Sequence, residues 1–167
     1  MAGEFRQRIR MRFSKRSDVR FASHRDVMRV FERALRRADV PVRMSCGFNP
    51  RPRISFPLAL GVGIEASDEV VEVELARWMP VAEVAKRLRA NLPNGLSLVK
   101  CELAAPGQTG QVGRITYEIS GLGDRLPSAE RVTSLLQQST VVVTRVREDK
   151  QKSVNIRPCI EDICVAE

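Results

Sequence analysis

The residues from Arg6 to Phe13 alternate without a break: Arg6, Arg8, Arg10 and Arg12 share one parity, and Ile9, Met11 and Phe13 the other. Successive side chains of a strand point to opposite faces, so the stretch predicts a half-buried strand with an arginine ladder on its open face. The same alternation returns at 70–76, where Val71, Val73 and Leu75 share a face and Glu72 and Glu74 take the other. If the two strands are neighbours, the glutamates partly neutralise the ladder. Four arginines against two glutamates still leave an excess of positive charge.

Charge is distributed unevenly along the whole chain. The first 60 residues hold 14 Arg and one Lys against five acidic residues, a net +10, whereas the remainder holds 13 basic against 15 acidic residues. A local positive field of that size attracts polyanions, nucleic acid foremost and acidic protein surfaces second. With 43% hydrophobic residues the 167-residue chain can bury a real core, which excludes disorder. No apolar run reaches the roughly 18 to 20 residues that span a bilayer, and the first residues lack the apolar stretch of a signal peptide. The expectation is a soluble, cytoplasmic protein without membrane contact. Cys46, Cys101, Cys159 and Cys164 are scattered, so reduced thiols and no bound metal are expected. The C-x4-C spacing of the last two is weak support for a metal.

A helix with a defined start follows the first strand. Ser23 and Asp26 have the spacing of a capping box, and Val27, Val30, Phe31, Ala34, Leu35 and Ala38 form an apolar stripe. Arg25, Arg29, Arg33 and Arg36 fall on the opposite side with Arg37 at its edge. Glu32 is the only acid among them, so pairing along the helix cannot account for that face. A proline-fixed turn comes next, Gly47-Phe48-Asn49-Pro50-Arg51-Pro52-Arg53, between extended runs at 42–46 and 54–60. Phe48, flanked by Arg43, Arg51 and Arg53, suits stacking on a base beside phosphate contacts, or else plugs the core beneath its own loop. Asn49 could read a base edge.

A second amphipathic helix is predicted over 80–92, with Val81, Val84, Ala85, Leu88 and Leu92 on its stripe, followed by a strand at 96–103. The order so far is βαββαβ, an α+β arrangement that predicts a ferredoxin-like domain over 1–104. Residues 105–113, rich in glycine, read as a linker. The pattern then restarts over 114–167: strand at 115–120, helix at 128–138, strand at 141–147 and another strand from 153. That order predicts a second, incomplete ferredoxin-like unit.

Several segments carry a family resemblance. Phe21-Ala22-Ser23-His24-Arg25-Asp26 resembles the R-F-x-S-H-x-D opening of the radical-SAM-linked proteins, and Phe31-Glu32-Arg33-Ala34-Leu35-Arg36-Arg37-Ala38 resembles their helix. Ser45-x-Gly47-Phe48-Asn49-Pro50-x-Pro52-x-Ile54-Ser55-Phe56 is similar to their loop and following strand, and 152–158 to a later segment. The resemblance implies a radical SAM partner encoded beside or fused to such a chain. S-adenosylmethionine and an iron–sulfur cluster are then expected only in that partner, with no cofactor here. Arg51 stands where many relatives have His, which argues against a histidine base in the loop. The chain also ends earlier than the family leads one to expect.

Three functions remain open on the sequence. The arginine ladder, the basic helix face and the Arg/Phe loop together suit a module that grips a structured RNA, such as transfer or ribosomal RNA, and presents it to the partner. A protein adaptor docking an acidic surface of that partner would use the same charges. A metal-independent RNA-processing enzyme would rest on His24, the sole histidine, oriented by Asp26 or Asp18.

Overall fold

A computed structural model describes residues 7–105, 110–121, 123, 126–147 and 150–165. The chain divides into two compact units, Met1–Ile115 and Thr116–Glu167. It is a mixed α+β protein with antiparallel sheets and three α-helices among the described residues.

In the first unit the alternating stretch is a strand, β1 (Gln7–Lys15), whose odd positions are buried and whose even positions are half-buried. A helix α1 (His24–Arg37), a two-residue strand β2 (Ile54–Ser55), a long strand β3 (Ala66–Leu75), a helix α2 (Val81–Arg89) and a strand β4 (Leu96–Leu103) follow. The sheet order is β2-β3-β1-β4, with every neighbouring pair antiparallel. Ile9, Met11 and Phe13 meet Val71, Val73 and Leu75 and the buried faces of both helices in one core. Phe13 and Phe31 stand edge to face at 4.8 Å, and Phe56 joins them at 6.2 and 5.7 Å. Burial of this apolar face is what fixes the register, because a one-residue slip would turn every arginine of β1 into the core.

The capping box at the start of α1 is complete: the Asp26 backbone N–H donates to Ser23 Oγ, and the Ser23 backbone N–H donates to Asp26. Gln7, an inward position on β1, satisfies both polar groups of Met79 with its side-chain amide, accepting at 2.9 Å and donating at 2.8 Å. The helix expected over 80–92 is shorter, with Pro80 at the N-cap and Ala90 at the C-cap. Val84, Ala85 and Leu88 are buried, while Val81 and Leu92 at its margins are half-buried.

Two expectations about strands fail. The extended run at 54–60 pairs with β3 only at Ile54 and Ser55. Pro57 has no N–H to continue a ladder, and Phe56 turns into the aromatic cluster instead. The segment at 115–120 is no strand despite its alternation; Ile115, Tyr117 and Ile119 are exposed and have no pairing edge among the described residues. The second unit otherwise contains α3 (Ala129–Gln137), capped by Ser128, and a two-stranded hairpin of β5 (Val142–Arg147) and β6 (Lys150–Asn155). Arg157 ties its end down by donating to the carbonyls of Leu136 and Ile160.

The open face of the first sheet is covered over part of its area. Gly110 passes so close to Glu72 and Pro57 that an added Cβ would lie 2.9 Å from both. Glu72 is accordingly 2% exposed although it sits on the charged parity of β3.

Candidate nucleic-acid interface

The arginine ladder meets its acids in the sheet. Arg8 lies opposite Glu74 and Arg10 opposite Glu72 in the β1–β3 register. Arg8 donates to Glu74 at 2.9 Å, and Arg10 donates to Glu72 Oε1 at 2.8 Å through Nε. Glu72 Oε2 has no hydrogen bond and lies 3.9 Å from Arg8 Nη1. Arg12 pairs with Asp68, and Arg53 reaches Glu74 at 3.7 Å from the other side. These four arginines of the expected binding set form a lattice of ion pairs across the strands. Arg6 lies outside the described residues.

The helix arginines are placed differently. Arg25, Arg29, Arg33 and Arg36 are all exposed on α1. Arg29 touches Asp26 at 3.5 Å, a solvent-exposed contact, while Arg25, Arg33 and Arg36 have no ion pair among the described residues. Arg37, at the edge of the face, reaches the Asn91 carbonyl at 3.4 Å. Arg29, Arg33 and Arg36 border an open groove of about 700 Å³ between α1 and the segment 40–54. Its floor is apolar: Leu35, Val40, Val42, Met44, Pro52 and Ile54 line it, and Glu32 is its one acid.

The segment 42–54 folds back on itself as an irregular hairpin along β3. The Arg43 N–H donates to the Glu74 carbonyl, the Arg53 N–H to the Arg43 carbonyl, and the Ser45 N–H to the Arg51 carbonyl, each at 2.8 Å. Met44 and Pro52 bridge at its base, and Ser45 Oγ accepts from the Arg51 N–H at 2.9 Å. Gly47 turns the tip at φ +124°, a conformation open mainly to glycine. Phe48 stands fully in solvent beside exposed Asn49 and Arg51. Of its two readings, the plug beneath the loop is therefore excluded. The hairpin whose base lines the groove carries an uncovered aromatic ring at its tip.

Residues 8–167 match the profile of the family described as Uncharacterized protein conserved in bacteria (DUF2344). The chain belongs to that family. No curated protein matches it.

In this DUF2344 protein the proposed acid–base pair is not assembled. Asp26 is engaged by its own cap, accepting from Ser23 Oγ at 2.6 Å, and that bond, with Arg29 nearby, holds its carboxyl below the usual carboxylate range. His24 packs edge to face on Phe56 at 5.2 Å and makes no hydrogen bond with Asp26 or Asp18 among the described residues. It lines a cavity of about 10 Å³, the size of one water, together with Phe13, Lys15, Phe56 and Glu69.

Lys15 and Glu69 are the titratable neighbours that sequence reading missed. Lys15 is 1% exposed and donates to the Ala22 carbonyl at 3.0 Å. Burial pushes its ammonium below its ordinary pKa, against the pull of Glu69. Burial pushes Glu69 up, against the pull of Lys15. The signal was present in parity, since Lys15 continues the buried odd positions of β1. Cys101 is driven up to about 11 by burial, which makes it a poor nucleophile. Cys46, Cys159 and Cys164 are exposed free thiols. No three His, Cys, Asp or Glu side chains are grouped to hold a metal among the described residues, and no described helix is long and apolar enough to cross a membrane.

Proposed function

We propose that the first unit of this DUF2344 protein is a ferredoxin-like RNA-binding module that presents a structured RNA to a radical SAM partner. The β2-β3-β1-β4 order, with α1 and α2 joining the same core, supports the fold assignment. The partner is what the resemblance of residues 21–56 to radical-SAM-linked proteins implies; S-adenosylmethionine and the iron–sulfur cluster would reside there.

One observation carries the RNA reading. Arg33 and Arg36, without acid partners, border a groove whose wall continues into a hairpin with Phe48 uncovered. An unpaired arginine row repels itself, which selects against it unless a polyanion is present part of the time. An exposed aromatic beside arginines is the combination that holds nucleic-acid bases and phosphates together.

Filter binding against total transfer RNA at two salt concentrations, with an acidic protein as control, tests this. Sub-micromolar, salt-steep binding to RNA and none to the control is expected. Phe48→Ala is expected to weaken RNA binding about tenfold, the loss of one stacked base. Binding to the acidic control with RNA ignored would replace this reading with the protein adaptor.

A further inference from the structure

The groove beside α1 contains a combination that phosphate binding does not use. Its floor is apolar, with Met44 46% exposed, and Glu32 stands among three arginines without an ion pair to any of them. A row of arginines alone would suffice for a duplex, whose outer surface is phosphate and sugar. An apolar floor gains nothing from that surface, because the flat faces of duplex bases are stacked inside.

We infer that this groove takes a single unstacked guanine from an unpaired stretch of RNA, with the base on the Met44–Pro52 floor and its donor edge on Glu32. The inference rests on the RNA-binding reading and specifies its substrate class. A carboxylate can only accept hydrogen bonds. Among the four RNA bases only guanine presents two adjacent donors, N1–H and N2–H, which one carboxylate can accept together. Uracil offers a single N–H between two carbonyl oxygens, and those oxygens would face the carboxylate. The volume of about 700 Å³ falls in the range of sites that enclose a small molecule. Arg29, Arg33 and Arg36 rise along α1 by about 6 and 4.5 Å per step, at 1.5 Å per residue, so they follow one phosphate strand rather than two. Arginines on the rim would then hold the backbone on either side of the inserted base.

The test uses the full chain and four RNAs at one salt concentration: a hairpin with a seven-uridine loop, the same loop with one central guanosine, the same with inosine there, and a fully paired duplex of equal length. The guanosine loop is expected to bind at least tenfold more tightly than the uridine loop or the duplex. Inosine, lacking the N2 amino group, is expected in between. Glu32→Gln is expected to bring the guanosine-to-uridine ratio close to one, and Met44→Asp, at an exposed position, to do the same. Tight but equal binding of all four RNAs would overturn the guanine site and leave the RNA-binding reading standing. A guanosine preference that survives Glu32→Gln would overturn the assignment of Glu32. Binding of no RNA at all would overturn both readings.

Discussion

The arginines of β1 and those of α1 look alike in the sequence and have opposite fates in the structure. On β1 each described arginine of the ladder faces a carboxylate across the strands, and Arg10 lies over a glutamate with almost no contact with water. On α1, Arg33 and Arg36 face no acid. Strand partners come from elsewhere in the chain and lie directly opposite, so a ladder can be neutralised by residues some sixty positions away, whereas a helix face can pair with its own turns only at three and four residues. A count of basic residues therefore overstates the binding surface. The part left for a ligand is the helix face and the hairpin beside it.

Removing one strand arginine should break the fold rather than the binding. Arg10→Ala leaves Glu72 buried at 2% exposure with one pairing lost, and an uncompensated buried carboxylate costs about 3 kcal/mol. Thermal or urea unfolding should show that loss, with RNA affinity of the still-folded protein changed by less than about twofold. A stable Arg10→Ala with weakened RNA binding would erase the distinction between the two arginine sets.

The helix set should behave in the reverse manner. Arg29→Glu, Arg33→Glu and Arg36→Glu together should reduce RNA affinity at least 100-fold, about 2.8 kcal/mol at 1.4 kcal/mol per decade. The dependence of log affinity on log salt should become shallower by about three phosphate contacts. Stability should be unchanged or slightly higher, because none of the three is buried and Arg33 and Arg36 have no partner to lose. Affinity titrations at four salt concentrations beside a melting curve measure both sides at once.

The sequence was most legible where one local pattern decides the outcome. Alternation located β1 and most of β3, and capping plus an apolar stripe located α1 with its N-cap. The pairing of Arg8 and Arg10 with Glu74 and Glu72 was readable as a conditional, since it needed only that the strands be neighbours. Patterns that depend on a partner edge were not decided locally. Ile115, Tyr117 and Ile119 alternate as well as β1 does, yet no described strand lies beside them. The groove was equally hidden, because its floor joins Leu35 to Met44 and Ile54 through a hairpin whose return path no spacing rule specifies. His24 and Asp26 are two residues apart in the chain but face different neighbours, one an aromatic ring and the other a serine cap.

Lys15 provides the smallest and most diagnostic effect, because it is the one basic residue of β1 that points inward. Lys15→Met keeps most of the buried volume, loses the bond to the Ala22 carbonyl and removes a desolvated charge, so the net change near neutral pH should stay within about 1 kcal/mol. The pH dependence separates the two proteins more clearly. The folded lysine has a pKa below its ordinary 10.5, so in the window just under that value the unfolded chain binds more protons and stability rises with pH. The variant lacks this rise. On the acid side, Glu69 already titrates above its ordinary 4.5, and losing the Lys15 cation should raise it further. A raised carboxyl means that stability present at low pH is lost as pH climbs through the folded pKa, and the variant should lose more of it. Melting temperatures of the variant relative to the parent should therefore fall once above pH 4.5 and again approaching 10.5. A flat difference across both windows would mean that Lys15 and Glu69 do not sense one another, and that the inward lysine is held by the Ala22 carbonyl alone.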